Sequence, residues 1–354
     1  MPGALEGIRV IDFGQYIAGP LAAMMLGDQG AEVIRVDPPS GPRWQTPANA
    51  SWNRGKRSIT LDLKTPEGVE TARRLIATAD VVVENFRPGV MDRLGLGADA
   101  MREANPALIY CSLPGFAHDD PRRGVAAWEG VVGAATAYYH GRGATDGDPT
   151  HFSAIPLASN FAAFTAVNSI TAALIARERM GRGQRIETAL FNAMYEAFGA
   201  RAQRNLATAD GSPPPPATPP GGPDPLGGGH YQASDGRWMQ LIFLRPRHFT
   251  WFAEKVFPDD WKAAGLDDPA RLRSDPAHRD ELRQRLAALF RTRTADEWQL
   301  YVNEEVGTPL CIAQTTAEWL QDPHARATRS VVTVDDPEYG PMSQPGFPVQ
   351  LHGT

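Results

Sequence analysis

The chain has 354 residues, 42% of them hydrophobic and 21% charged, with a formal net charge of −6 and a pI near 5.8. This is ample apolar material for a large core in one or two domains, and the acidic balance argues against a nucleic-acid partner or an anionic membrane surface. Cys111 and Cys311 are far apart and fit no metal or redox spacing, so they read as reduced structural thiols in a cytoplasmic protein.

The opening stretch MPGALEGIRVIDFG has no basic region followed by a long apolar one, which sets aside a secretory signal. From there, strand and helix signals alternate. IRVIDF and AEVIRVD are short apolar strands. Between them GPLAAMMLGDQG reads as a helix, with Pro20 near its first turn and Gly27 and Gly30 near its end. TPEGVETARRLIATA opens with Thr65 as a cap, Pro66 at the first helical position and Glu67 in the first turn. VVVENF, a helix through ADAMREAN, and the strand ALIYCSL continue the pattern. Strands alternating with helices specify an α/β fold: a parallel sheet with right-handed crossovers and a Rossmann-like rhythm. No G-x-G-x-x-G follows the first strand, which disfavours a nicotinamide dehydrogenase.

Residues 149–176 contain no Asp, Glu, Lys or Arg. Inside this run Ser159 and Asn160 stand where a buried helix starts, and Phe161, Phe164, Val167 and Ile170 recur at helical spacing until Gly181 and Gly183 end it. With Ser153, Pro156, Ser159, Asn160, Thr165 and Asn168 the run is too polar for the ~20 apolar residues of a membrane span. RIETAL then reads as a strand and FNAMYEAFGARAQRN as a helix. SPPPPATPPGGPDP, residues 212–225, is an extended Pro-rich linker. It separates a large domain, 1–211, from a smaller α+β domain, 226–312. The smaller one begins at Gly227, Gly228 and Gly229 and has a hairpin turning at Asp235–Gly236. Asp280 before ELRQRLAALF, and Thr294 with Glu297 as a capping box before WQLYV, predict two capped helices. Residues 313–354 read as a return to the large domain. His140, His151 and His230 have no metal-ligand spacing, so no metal site is expected.

Six blocks in order resemble the class III (family III) CoA-transferases, which include formyl-CoA transferase, carnitine CoA-transferase and the divergent α-methylacyl-CoA racemase. They are GIRVIDFGQYIAGPLAAMMLGDQGAEVIRVDPP, NRGKRSITLDLKTPEG, VVENFRPGVMDRLGLG, NPALIYCSLPGFAHDDP, AALIARERMGRGQRIETAL and VGTPLCIAQTTAEWLQDPHARA. The resemblance implies a Rossmann-like large domain, a smaller domain, an interlocked dimer, and coenzyme A or an acyl-CoA as substrate rather than a resident cofactor. It implies that Ile17, Ala18, Leu61, Lys64, Asn85, Phe86, Arg87 and Arg93 line the CoA. Independently, Arg54, Lys56, Arg57, Lys64, Arg87 and Arg93 give an otherwise acidic chain the cations that three phosphates need. GGGHY at 227–231 resembles the glycine-rich loop that shields the intermediate in formyl-CoA transferase.

Two departures bear on chemistry. The transferases carry a nucleophilic aspartate at the start of the central helix, and ungapped alignment places Ser159 there. A serine forms only an ester with an acyl group, not the anhydride and enzyme thioester that a carboxylate passes through. Ser159 therefore reads as a helix cap, or as a donor to a thioester carbonyl. The racemase His–Asp pair corresponds to Trp128–Glu129, so no histidine shuttles a proton and racemisation is not expected. Glu129 reads first as an ordinary polar helix residue; together with Asp146 and Asp148 it is also a reserve carboxylate. The leading expectation is a subunit lacking the catalytic aspartate, paired with a homologous chain. The alternatives are a self-sufficient transferase using another carboxylate, and a non-catalytic acyl-CoA-binding protein. The substrates expected are an acyl-CoA and a carboxylic acid, and Phe161, Phe164, Tyr138 and Tyr139 hint at an apolar or aromatic acyl group.

Overall fold

Short runs of β-branched residues pair side by side in the first half of the chain. In a computed structural model, which describes residues 3–139, 155–197, 226–347, 349 and 351–353, six strands form one sheet. They are β1 (Arg9–Asp12), β2 (Glu32–Asp37), β3 (Arg57–Thr60), β4 (Val81–Glu84), β5 (Ile109–Ser112) and β6 (Arg185–Glu187), in the order β3-β2-β1-β4-β5-β6. Every pairing is parallel. The sheet is therefore doubly wound, and its direction of travel reverses between β1 and β4, where a crevice opens beyond the strand ends. The linker at 212–225, Asp146, Asp148, His140 and His151 lie outside the described residues.

Alternation along each strand feeds two cores. Val10, Val81, Val83 and Ile109 face one side of the sheet, and Ile11, Val82, Leu108 and Tyr110 the other. The first face is covered by α1 (Ala18–Asp28) and by the long helix α7 (Leu157–Met180), the second by α3 (Pro66–Ala77) and α5 (Ala98–Ala104). Three elements carry no clear signal in the sequence: α2 (Pro47–Trp52), α6 (Glu129–Ala135) and the edge strand β3. The helices are short, and β3 is mostly exposed, so neither has an apolar period to read. The remaining short helix, α4 (Val90–Arg93), follows β4.

Helix α7 is long and apolar enough to cross a membrane by length and composition alone, yet half of its most apolar window is buried within the fold. It packs on α1 and β5. Ala158, Ala162 and Ala166, four residues apart, share a core with Ala18, Ala22 and Ala23 of α1. Small side chains on both helices let the backbones approach closely, so the uncharged stretch reflects helix packing. Gly181, in the left-handed region at φ 68°, closes the helix as the sequence predicts.

The described residues fall into two compact units, one of residues up to 197 and from 323 onward, the other of 226–322. The chain thus leaves the second unit about ten residues later than the expected 313, because β9 (Leu310–Ile312) and the helix Thr316–Gln321 stay with it. In that unit β7 (Gly229–Gln232), β8 (Trp238–Leu241) and β9 form an antiparallel sheet. Helices pack around Phe249, Phe252, Phe290 and Trp298. The capping box of Thr294 and Glu297 is present. The helix expected after Asp280 instead runs Pro276–Phe290 and is capped by Asp275, whose carboxylate accepts from the N–H groups of Ala277 and His278. Pro276 at the first helical position favours this earlier start. The first unit ends with an antiparallel pair, β10 (Val331–Asp336) and β11 (Gly340–Pro345).

A buried ion pair ties the loop before β3 to the end of β1. Lys56 Nζ donates to Asp12 Oδ2 (2.8 Å), the Pro20 carbonyl (2.8 Å) and Asn53 Oδ1 (2.9 Å), while Asp12 Oδ1 accepts from Gly14 N–H (2.7 Å). The side chains are only 2% and 0% exposed. Burial of such a pair is costly unless every lone pair and proton is satisfied, and removing one partner strands the other. Lys56→Met should therefore lower unfolding free energy in urea by roughly 3–5 kcal/mol, with much of the loss recovered in Lys56→Met/Asp12→Asn. A single-variant loss below about 1 kcal/mol, the level of an exposed pair, would contradict this role.

Glu84, at the end of β4, is also buried; desolvation pushes its carboxyl up to about 7, against the pull of the Ser112 side chain and the Phe86 N–H. Its native pKa lies above the ordinary 4.5, so between those values the folded state holds a proton that the unfolded state has lost. This group therefore makes the protein less stable as pH rises from about 4.5 to 7. Glu84→Gln should abolish that component, gaining stability relative to the parent at pH 8 compared with pH 4, by on the order of 3 kcal/mol. A parent-minus-variant difference independent of pH would contradict the assignment.

Candidate active site

The crevice at the β1–β4 switch is shaped by a close backbone crossing. A Cβ on Gly14 would lie 2.8 Å from the Gly19 Cα, and a Cβ on Gly19 equally close to Gly14. The turn from β1 into α1 is therefore possible only with glycine at both positions. Asn85, just after β4, holds this turn from outside. Its Oδ1 accepts from the Gln15 N–H (2.8 Å) and its Nδ2 donates to the Gln15 carbonyl (2.7 Å). The next residue, Tyr16, sits in the left-handed region at φ 65°, a strained geometry for a residue with a Cβ.

A cavity of about 920 Å³ opens here. Of the residues expected at the CoA, Ile17, Ala18, Leu61, Lys64, Asn85, Phe86 and Arg87 line it, as do Ser159 and Glu129. Sequence reasoning missed Tyr16, Trp44 and Trp128 as a group, and Arg43. Tyr16 meets Trp128 edge-on with centroids 4.6 Å apart and Trp44 at 6.2 Å. Trp128 is 55% exposed, and so large an exposed aromatic beside a cavity is the kind of signal that marks a binding surface.

The other cations are committed elsewhere. Arg54 pairs with Asp28 (2.6 Å) and reaches the Pro345 carbonyl, Lys56 is locked to Asp12, and Arg57 pairs with Glu32 (2.8 Å) at the sheet edge. Arg93 is not among the lining residues; it ends α4, and one guanidinium nitrogen lies beside Gly89. Lys64 and Arg43 are exposed and pair with no carboxylate among the described residues, while Arg87 reaches only the Gly124 carbonyl at 3.5 Å. The three therefore remain able to meet an anion.

The first turn of α7 is met by a carboxylate from outside the helix. Glu129, the first residue of α6, extends its carboxylate onto the start of α7. Oε1 accepts from the Ala158 N–H (2.7 Å), and Oε2 accepts from both the Ser159 N–H (3.0 Å) and the Ser159 hydroxyl (2.7 Å). Glu129 is therefore not a solvated polar helix residue: three donors and the positive end of a 24-residue helix fix its charge in place. Nor does Ser159 cap its own helix, for no side-chain cap bond is present at that end. It is only 6% exposed, and its hydroxyl donates to Glu129. The site that lacked a carboxylate on α7 receives one from α6.

The remaining expected positions fall outside this cavity. Gly227, Gly228 and Gly229 belong to the second unit, where Gly228 and Gly229 line a separate cavity of about 610 Å³. Gly227, at φ 85°, packs so tightly that a Cβ would lie 2.8 Å from Leu286. Tyr138 and Tyr139 are core residues, Phe161 packs against the same core and Phe164 is exposed; none of them lines the 920 Å³ cavity, so their hint of an acyl pocket falls away. No group of three or more metal-ligating side chains occurs among the described residues. Cys111 is fully buried, which raises its thiol pKa and makes it unreactive, while Cys311 is exposed.

Known proteins resemble this chain over most of its length. The chain is 34% identical to the CoA-transferase/lyase DddD of Marinomonas sp. over 97% of its own length, spanning 45% of that protein. It is 30% identical to succinyl-CoA–D-citramalate CoA-transferase of Chloroflexus aurantiacus, covering 100% of this chain and 89% of the relative. The crystal structure of Rv3272 from M. tuberculosis superposes with a TM-score of 0.82 at 27% identity, covering 99% of this chain and 94% of that one. The model of CoA-transferase family III matches residues 5–354. The strand order, the glycine crossing and the cavity at the switch point are thus those of a chain that belongs to CoA-transferase family III.

Proposed function

We propose that this chain transfers coenzyme A from an acyl-CoA to a carboxylic acid, binding the thioester in the cavity at the β1–β4 switch. One observation carries the reading: a single cavity is lined both by cations free to meet phosphate, Lys64, Arg43 and Arg87, and by a carboxylate, Glu129, clasped at the start of α7. Phosphates need the first, and acyl transfer through an anhydride needs the second. Ile17 and Ala18 line the cavity at the start of α1, a helix end that no side chain caps and whose N–H groups suit an anion. Tyr16, Trp44 and Trp128 supply an apolar flank for the pantetheine or acyl group. This reading makes the chain self-sufficient in carboxylate. The other assembly, in which a homologous partner supplies a catalytic aspartate, rests on a vacancy at Ser159 that Glu129 fills.

Calorimetry should detect CoA and acyl-CoA binding. Lys64→Ala and Arg87→Ala should each weaken it roughly tenfold and reduce its dependence on salt, since charge-assisted contacts to phosphate are lost. No heat with CoA or any acyl-CoA at millimolar concentration would overturn the reading.

The same reading includes a dimer. Phe164, Ile175 and Met180 of α7 are 43%, 52% and 53% exposed while Ala162, Ala166, Ile170 and Ala173 of the same helix are core, which supports a second chain covering them. Light scattering should give about twice the chain mass of 38.4 kDa; a monomer throughout the micromolar range would contradict this.

A further inference from the structure

We propose that the second unit carries a binding site for a small carboxylic acid with an apolar body, in the cavity where the edge strand β7 meets the flank of the helix Pro276–Phe290. The site shares no residue with the cavity at the β1–β4 switch, and it stands whether or not the transfer reaction proposed above is right.

Strand alternation builds one wall. Tyr231, Met239 and Leu241 are core, so His230, Gln232, Trp238 and Gln240 share the opposite face, with His230 beside Gln240 and Gln232 beside Trp238. The strand order leaves β7 at the edge of its sheet. The Ala233 N–H donates to the Arg237 carbonyl (2.9 Å), which fixes the phase of the antiparallel ladder. Tyr231 therefore pairs with β8, and His230 and Gln232 turn their N–H groups to the free edge. The helix supplies the other wall. Arg283, Ala287 and the capping residue Arg291, four apart, line the cavity from one flank, while Leu282, Leu286 and Phe290 beside them are core.

The charge on these walls is one-sided. Arg291 donates to Gln232 Oε1 (3.3 Å) and pairs with no carboxylate among the described residues. Arg283 adds a second guanidinium, its Nη1 4.0 Å from Asp280 Oδ1. No Asp or Glu lines the cavity, although the chain carries 41 of them. Guanidinium groups beside outward N–H groups suit an anion that accepts several hydrogen bonds, and the planar fork of arginine matches a carboxylate. The cavity, about 610 Å³, holds far more than a carboxylate alone. Trp238, 51% exposed, with Phe243, Ile242 and Ala287, lines the rest, so the acid that fits carries an apolar chain or ring.

The test uses the full chain without CoA, labelled with fluorotryptophan and titrated with benzoate and butyrate by fluorine NMR. The Trp238 resonance is assigned by its loss in Trp238→Phe. At least one of the two acids should shift that resonance saturably, whereas benzamide, the uncharged counterpart of benzoate, should not. Arg291→Ala should weaken the acid about tenfold, the loss of one charge-assisted contact, and Arg283→Ala/Arg291→Ala should remove the response. Lys64→Ala, in the other cavity, should leave it unchanged. Should an arginine variant fail to fold, the contrast between benzoate and benzamide at Trp238 in the parent decides. A Trp238 resonance that neither acid moves, an equal response to benzamide, inorganic phosphate bound as tightly as the acids, or unchanged affinity in a folded Arg291→Ala would each overturn the assignment.

Discussion

The start of α7 decides how this site is built. An α-helix leaves its first N–H groups without partners, and here they lie under a cavity wall rather than in bulk water. No side chain of α7 satisfies them; the carboxylate of Glu129, reaching across from α6, does. That contact joins α6 to α7, sets the charge at the cavity floor, and places it beside the turn that Gly14, Gly19 and Asn85 hold in shape. The packing of α7 on α1 through alanines supplies the rigid base that such a site requires.

Ion pairs of different kinds divide the work around this frame. The buried Lys56–Asp12 pair fastens the loop before β3 to β1, Arg54 binds Asp28 at the end of α1, and Arg57 binds Glu32 at the sheet's edge. What is left near the cavity is a small set of exposed cations, Arg43, Lys64 and Arg87. The division is physically sensible. Cations that hold the scaffold are satisfied by the protein, while those at the cavity are left able to meet an anion.

Much of this was legible in the sequence, and for identifiable reasons. Apolar runs broken by Gly and Pro announce β1, β2, β4 and β5, Thr65 and the Thr294–Glu297 pair announce their helices, and Gly181 ends α7 as expected. What could not be read is what depends on distance in space. Asp275 rather than Asp280 caps its helix because Pro276 extends the first turn, a choice that periodicity leaves open. Arg54, Lys56 and Arg57 look alike in a basic loop, and only the fold assigns them to Asp28, Asp12 and Glu32. Glu129 lies 30 residues before the serine it bonds. Its reach to Ser159 depends on how α6 and α7 pack, which no local pattern encodes.

An oxygen-tracing experiment tests the central claim most directly. Passage through an anhydride exchanges one oxygen between acid and enzyme, so turnover with an acceptor acid bearing ¹⁸O in its carboxylate must write ¹⁸O into the enzyme carboxylate that forms the anhydride. After multiple turnovers, proteolysis and mass spectrometry should find ¹⁸O in the Glu129 side chain of the parent enzyme and none in its other carboxylates. Turnover that leaves Glu129 unlabelled, with the isotope in another side chain or in none, would contradict the account.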